Sequence, residues 1–392
     1  MKKILIIEDD PVVANVYRNK LAVDGYQVEV AADGVIGLDL LPTFKPDLII
    51  VDLMLPTISG VDVIRETRSD SAFTKTPIIV LSNTYLTNLV QEAWKAGASK
   101  CLSKTDCAPK DVIAAVRQLI GDSGSMPHAT ATAAAAAELS AVNAAAQDAE
   151  HQSELRKTFT ENLPATLHSL RTVVQLLVKS PDEITRHKQV YELYRQVHAL
   201  NGNASVAGFV LISHMASALE AMLKEIYEKS KNINASTTRT AANAVDFLGF
   251  LFERGTLRDH AELPASNILV VDDEVISRRA ITYALDKAKL KSTALDDPLK
   301  ALELVTTTNF DLIFLDVDMP GMTGFELCTK IRALPQHKKT PVVFVTSLTD
   351  FESRANSTMA GGNDFIGKPF LFIELTVKSL IHVLRKKLTP SA

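Results

Sequence analysis

Short apolar runs recur near both ends of the chain, and each closes on a polar residue. In the first part they are residues 4–7 before Glu8-Asp9-Asp10, residues 48–51 before Asp52, and residues 78–81 before Ser82. Runs this short, rich in β-branched residues and bounded by polar clusters, predict buried strands. Amphipathic stretches such as 11–24 and 34–44 lie between them. Strand alternating with helix predicts a parallel sheet covered on both faces. Such a sheet presents its strand carboxyl ends along one edge, where ligands bind. Glu8, Asp9, Asp52, Ser82 and Lys104 all fall on that edge.

The pattern changes after Gly121. Residues 122–150 begin with Gly, Ser and Pro and continue in alanine, which reads as a flexible linker whose second half can be helical. Within a domain expected over 151–262, the pattern is helical from Glu154 to Arg254, with helices near 154–178, 182–206, 209–230 and 235–254. Ser180-Pro181-Asp182-Glu183 reads as a helix start with a capping serine, and Pro164 as a kink or a beginning. Four amphipathic helices with short connections predict an antiparallel bundle. In the second of them Val190, Leu193, Tyr194, Val197, Leu200 and Ala204 form one stripe. His198, Gly202 and Ser205 lie on its edge, and a glycine at 202 leaves the imidazole uncovered. Taken alone, His198 reads as a solvated surface histidine. His168, His187 and His214 have no glycine one turn later and read as ordinary surface or boundary residues.

The last third repeats the first. Asp9 and Asp273, Asp52 and Asp316, Ser82 and Thr346, and Lys104 and Lys368 are each separated by 264 positions. Pro56 and Pro320, Gly60 and Gly324, Pro77 and Pro341, and Gly97 and Gly361 keep the same spacing. One spacing held through eight chemically distinctive positions marks an internal duplication.

Totals narrow the function classes. A chain of 392 residues with 46% hydrophobic and 22% charged positions is an ordinary globular protein of two or three domains. A net charge of −4 argues against a general nucleic-acid binder. Cys101, Cys107 and Cys328 have no metal spacing, which fits a reducing compartment. Lys2-Lys3 is followed by too short an apolar run for a signal peptide, and Glu138, Asn143 and Gln147 break the alanine run. A soluble, cytoplasmic protein without membrane contact is expected.

Three carboxylates at one strand edge repel each other unless a cation shares the site. An all-oxygen site with few carboxylates suits Mg²⁺. A lysine and a hydroxyl beside it can hold phosphoryl oxygens, and an aspartate can act as nucleophile. On these residues, segment 1–121 resembles a response-regulator receiver domain, with the flavodoxin-like (βα)5 fold and strand order 2-1-3-4-5. The resemblance implies that Asp52 is the phosphoacceptor. It further implies Glu8, Asp9, Asp52 and the Met54 carbonyl as Mg²⁺ ligands, Ser82 as switch hydroxyl and Lys104 as phosphate-pairing lysine. Thr105 replaces the proline usual after that lysine, and Cys101 stands in the place of the aromatic switch. Segment 266–390 resembles a more standard receiver. There Asp316 is the implied phosphoacceptor; Asp272, Asp273, Asp316 and the Asp318 carbonyl hold a second Mg²⁺. Thr346 and Lys368 bind the phosphoryl group, Lys368 is followed by Pro369, and Phe365 is the aromatic switch.

The line His-Ala-Leu-Asn-Gly at 198–202, with Ser205 and Gly208, resembles the active helix of histidine phosphotransfer (HPt) domains. Asn201 departs from the lysine usual there. The resemblances imply an all-α HPt-like bundle between two receivers, one Mg²⁺ per receiver, and phosphorelay through His198. A histidine kinase and other receiver or HPt proteins are the implied partners, with no direct DNA binding and with oligomerisation left open. One alternative is a scaffold with two independent receiver switches and an inactive bundle. Another is a phosphatase: Asp316-Val317-Asp318 resembles the DxD of haloacid-dehalogenase-type enzymes, but Pro320 stands two residues after it where those have Thr or Val. No helix-turn-helix segment is left over, and no glycine-rich ATP-binding block is present, so a phosphoacceptor without kinase activity is expected.

Overall fold

In the computed structural model, which describes residues 1–83, 87–104, 109–121, 133–255, 265–347 and 360–389, the short apolar runs are parallel strands. Thr105, Cys107, residues 122–132 and the expected bundle end at 262 lie outside the described residues. The chain divides into two compact units, residues 1–166 with 196–217 and residues 167–195 with 218–392.

The first unit carries strands β1 (Lys3–Ile7), β2 (Gln27–Ala31), β3 (Leu48–Asp52), β4 (Ile78–Ser82) and β5 (Lys100–Ser103) in the order β2-β1-β3-β4-β5. Helices α1 (Pro11–Val23), α2 (Gly34–Phe44), α3 (Gly60–Ser69), α4 (Thr87–Ala96) and α5 (Pro109–Ile120) alternate with them. β3 and β4 are buried at every position, because helices cover both faces and leave no polar side. Asp10 starts α1 by accepting the Val12 and Val13 N–H groups, with Pro11 supplying a preset φ.

The second unit repeats this sheet with β6 (Asn267–Val271), β7 (Lys291–Leu295), β8 (Leu312–Asp316), β9 (Val342–Thr346) and β10 (Asp364–Gly367), ordered β10-β9-β8-β6-β7. Its helices are α10 (Val275–Lys287), α11 (Pro298–Thr307), α12 (Gly324–Ala333) and α13 (Phe372–Leu388). The strand order 2-1-3-4-5 is therefore present twice.

Two internal devices recur at the same spacing. A Cβ on Gly60 would lie 2.1 Å from the Asp52 carbonyl oxygen, and one on Gly324 would lie 2.0 Å from that of Asp316. Only glycine lets the helix start pass so close behind the acidic strand end. The second device was not visible in the periodicity. Arg68 donates to the carbonyls of Phe73, Thr76 and Gly97, and Arg332 donates to those of His337, Thr340 and Gly361. Each guanidinium closes the loops at the far end of its sheet, where a lysine ammonium lacks the fork to do so.

The middle is helical: α6 (Ala133–Lys179), α7 (Glu183–Val206), α8 (Val210–Glu228) and α9 (Ala235–Gly255). α6 differs from expectation. It is one helix of 47 residues, joining the alanine-rich stretch to the expected first bundle helix and passing through Pro164. Proline removes only one intrahelical hydrogen bond, and Leu163, Leu167 and Leu170 remain buried on either side of it. The start of α7 is also corrected. Asp182, not Ser180, caps it by accepting the Thr185 N–H, while the Ser180 hydroxyl donates back to Leu176 in α6. His214 is buried, deeper than the surface or boundary place expected of it, and His187 stacks on Tyr227 at 4.3 Å. His168 is exposed, as expected. In the second unit, Ser236 and Thr240 of α9 donate to Glu374 of α13, and Arg239 lies 5.4 Å over the Phe365 ring.

Arg332→Lys is expected to lower unfolding stability by about 2 kcal/mol, since several carbonyls lose a donor at once; denaturant unfolding measures it. Asp364 supplies a pH-dependent term. Burial opposes its ionisation, but His382 and Lys378 outweigh burial and bring the carboxyl down to about 2. A depressed carboxyl stabilises the fold above its unfolded value and loses that contribution as pH falls through the folded value. Asp364→Asn should therefore destabilise at pH 7 by about 2 kcal/mol and have little effect at pH 2, as thermal melts at the two pH values would reveal.

Candidate functional site

Strand register assembles the first site. Ile7 pairs with Val51, Asp52 with Leu81, and Ser82 with Ser103, so Glu8, Asp52, Ser82 and Lys104 leave neighbouring strands side by side. Lys104 Nζ lies 2.6 Å from Asp52 Oδ2 and 3.0 Å from Glu8 Oε1. All three are buried, with Asp52 and Glu8 each only 1% exposed. The Met54 N–H donates to Asp52 Oδ1 at 3.1 Å, fixing the carboxylate plane. The Ser82 hydroxyl reaches toward the Leu102 carbonyl at 3.5 Å.

The charges are not balanced by the protein alone. Burial pushes the Glu8 carboxyl up to about 7, with Asp52 adding to the push and Lys104 opposing it. Burial alone would raise Asp52 as well, but Lys104 and His198 outweigh it and hold that carboxyl below the usual aspartate value. Lys104, despite burial, is held well above the ordinary lysine value by Asp52 and Glu8. Asp9 Oδ1 is buried and accepts no hydrogen bond. Glu8, Asp9, Asp52 and His198 each bring one ligand atom within 4.8 Å of the others. An unsatisfied carboxylate oxygen beside two more carboxylates is the donor set a hard divalent cation takes, so these residues fit Mg²⁺.

His198 is not a solvated residue. Its Nε2 lies 3.6 Å from Asp52 Oδ2 and 3.6 Å from Asp9 Oδ1, and its side chain is 12% exposed. Gly202 is buried: a Cβ there would meet Val13 Cγ2 of α1 at 3.0 Å and Asp10 Oδ2 at 3.5 Å. The glycine therefore admits α1, a role the helical wheel alone could not assign. The Ser205 hydroxyl donates to the Lys104 carbonyl. Asn201 turns inward, where its Oδ1 accepts the Ser213 hydroxyl at 3.0 Å. The sequence reading missed Asn83 and Ser217 altogether. Asn83 Nδ2 donates to the Ser217 carbonyl at 2.9 Å, and the Ser217 hydroxyl donates to Asn83 Oδ1 at 2.6 Å. Asn83 follows Ser82 and carries no motif, so its signal was only its place after the strand end.

The second site has the same frame with different neighbours. Lys368 Nζ lies 2.8 Å from Asp316, 3.1 Å from Asp272 and 3.6 Å from Glu274. Asp272 also accepts the Ser277 hydroxyl at 2.5 Å. Asp273 is exposed, and Thr346 is buried. Burial and Asp272 raise the Asp316 carboxyl more than Lys368 lowers it. Asp272, Asp273 and Asp316 form the second acidic cluster; among the described residues no histidine belongs to it. Asp318 is exposed, and its N–H donates to Asp316. Phe365 is half-buried on β10 under Arg239. Cys101, at the matching place in the first unit, is a thiol pushed up to about 11 by burial.

The chain is 33% identical over 126 residues to the cyclic di-GMP phosphodiesterase response regulator RpfG of Xanthomonas campestris pv. campestris, covering 32% of this chain and 33% of that protein. It is 38% identical over 126 residues to the transcriptional regulatory protein ResD of Bacillus subtilis, covering 30% and 48% respectively. The chain thus spans between a third and about half of the length of these curated relatives. Among solved structures, the chemotaxis response regulator CheY4 of Vibrio cholerae shares 32% identity over 31% of this chain and 99% of its own, with a TM-score of 0.29. The family model described as the response regulator receiver domain matches residues 4–117 and 268–379, together more than half of the chain. With both acidic strand ends and both lysines inside those matches, the chain belongs to the response regulator receiver domain family and carries that domain twice.

Proposed function

We propose that this chain is a phosphorelay component in which Asp52 and Asp316 accept phosphoryl groups and His198 exchanges one with Asp52. The observation that carries the reading is the 3.6 Å approach of His198 Nε2 to Asp52 Oδ2. In-line phosphoryl transfer needs attacking and leaving atoms face to face across the phosphorus, and a site that positions them does most of the work. In the transfer to Asp52, the Nε2–P bond breaks with its electron pair returning to the imidazole while an Asp52 Oδ–P bond forms. A proton kept on Nδ1 leaves the departing ring neutral. Lys104 and the Ser82 hydroxyl hold the phosphoryl oxygens. Glu8, Asp9, Asp52 and the Met54 carbonyl would hold Mg²⁺ in the first receiver; Asp272, Asp273, Asp316 and the Asp318 carbonyl would hold it in the second. When bound, the ion neutralises charge that develops on the phosphoryl oxygens.

The helices bearing His198 act in this reading as an HPt-like module, in a cytoplasmic protein with no turnover of its own beyond self-catalysed transfer and dephosphorylation. Among the described residues no helix is long and apolar enough to cross a membrane. A histidine kinase or another phosphotransfer protein supplies the phosphoryl group. A second reading, a scaffold with two independent switches, draws on Asn201, which is buried against Ser213 and offers no cation to the phosphoryl group.

With a phosphorylated cognate donor, wild-type chain should carry acid-labile phosphate on His198, and Asp52→Ala should make it accumulate there. His198→Ala should reduce donor-dependent labelling of Asp52 at least tenfold and leave Asp316 unaffected. Absence of label on His198 with every donor would favour the scaffold. Asp318→Asn is expected to lengthen the Asp316 acyl-phosphate lifetime several-fold by removing a carboxylate next to the phosphoacceptor; equal lifetimes in a decay assay would exclude that role.

A further inference from the structure

Asp52 is 1% exposed, and the residues that close it belong to its own chain. His198 stands over the carboxylate, and the helical segment that carries it is fastened to the receiver at three further places. Asn83, the residue after the switch serine, exchanges two hydrogen bonds with Ser217 of α8. Ser205 of α7 donates to the carbonyl of Lys104, the residue that pairs with Asp52. Gly202 lets α1 approach until Val13 would touch any added Cβ. Val206 and Leu155 join the apolar core formed by Val13, Val16 and Val112 of the receiver, so the polar contacts are backed by shared core packing. Both fastened loops are the ones that carry phosphoryl-binding groups.

The fastening residues are specific to this copy. The positions 264 further on are Ser347 for Asn83 and Ser277 for Val13. Ser277 turns its hydroxyl to Asp272, where Val13 offers only methyl groups to α7. Asp273 is exposed in the second copy, where its counterpart Asp9 is only partly so and faces His198.

We infer that Asn83, Ser217 and Ser205 form a docking clamp that closes Asp52 to phosphodonors other than His198 of the same chain. These are positioning residues: none touches the transferring atoms, and each acts by holding the helix that does. The inference rests on the relay reading for the identity of the permitted donor, but the exclusion of other donors is independent of it. Asp316 is itself only 5% exposed, but among the described residues no histidine belongs to its acidic cluster, so the clamp gives the two receivers different access, with small donors reaching Asp316 and Asp52 served from within.

The test uses the full chain with acetyl phosphate and Mg²⁺, trapping acyl phosphates with borohydride and quantifying the Asp52 and Asp316 peptides by mass spectrometry. In wild type, Asp52 should be labelled at least tenfold more slowly than Asp316. Asn83→Ala and Ser205→Ala, each a simple truncation, should raise Asp52 labelling at least fivefold and leave Asp316 unchanged. Gly202→Leu should do the same by wedging α1 away, so a folding failure in one variant leaves the others to decide, with circular dichroism as the check. Equal labelling of the two aspartates in wild type, or no rise in any folded variant, overturns the clamp. A mixing experiment reads the donor side. Phosphorylated Asp52→Ala chain mixed with His198→Ala chain should transfer to Asp52 at least tenfold more slowly than wild type transfers internally, and equal rates overturn the inference. Release of Asp52 labelling in the variants without any phosphate ever found on His198 would support the clamp and remove only the relay.

Discussion

Like charge packed at the end of a parallel sheet is the constraint on which the rest depends. In the first copy three carboxylates converge where one lysine serves them, and the site is nearly closed to water. Buried charges of this kind persist only when geometry is tight, since removing one partner of a buried pair costs about 3–5 kcal/mol. The surrounding structure supplies that tightness. Fully buried strands set the side-chain positions, Gly60 brings a helix start up against the Asp52 carbonyl, and Arg68 binds the opposite loops. An aspartate held ionised in such a place is a strong acceptor for anything positive and for an electrophilic phosphorus.

His198 belongs to this electrostatic arrangement as well as to its own helix. It faces both Asp52 and Asp9 and contributes to keeping Asp52 ionised. In the second copy no histidine among the described residues belongs to the acidic cluster, and burial, with Asp272 beside it, raises Asp316 above the ordinary aspartate value. The same backbone therefore holds two carboxylates in opposite states of ease toward protonation. What separates them is the balance between burial and the charged neighbours, chiefly Lys104 with His198 for Asp52 and Lys368 against Asp272 for Asp316.

Much of this was legible in the sequence, for physical reasons that name their own limits. A strand that must be buried on both faces cannot hide its apolar run, and acids stacked at strand ends stand out by position. That is why Glu8, Asp9, Asp52, Ser82 and Lys104 were found together, along with their counterparts. Helical periodicity placed His198 at the edge of its stripe, but an edge has two sides, and nothing in the wheel says that α1 lies against Gly202. Ser180 was preferred to Asp182 as a cap because both are good caps and only the backbone decides. Pro164 read as a kink or a beginning because one missing hydrogen bond is weighed without the packing that carries the helix through it. Asn83 and Ser217, 134 residues apart, have no pattern to betray them.

The equal spacing of the two copies has a further meaning. Since Arg68 and Arg332, Gly60 and Gly324, Asp52 and Asp316, Ser82 and Thr346, and Lys104 and Lys368 all match without an inserted residue, neither copy has altered the length of a single loop between them. Divergence was confined to what the side chains at fixed stations do. Each molecule thus contains its own reference: one receiver covered and one with a different surround, on a common frame and at strictly equal concentration. Differences in their chemistry can be assigned to neighbours alone.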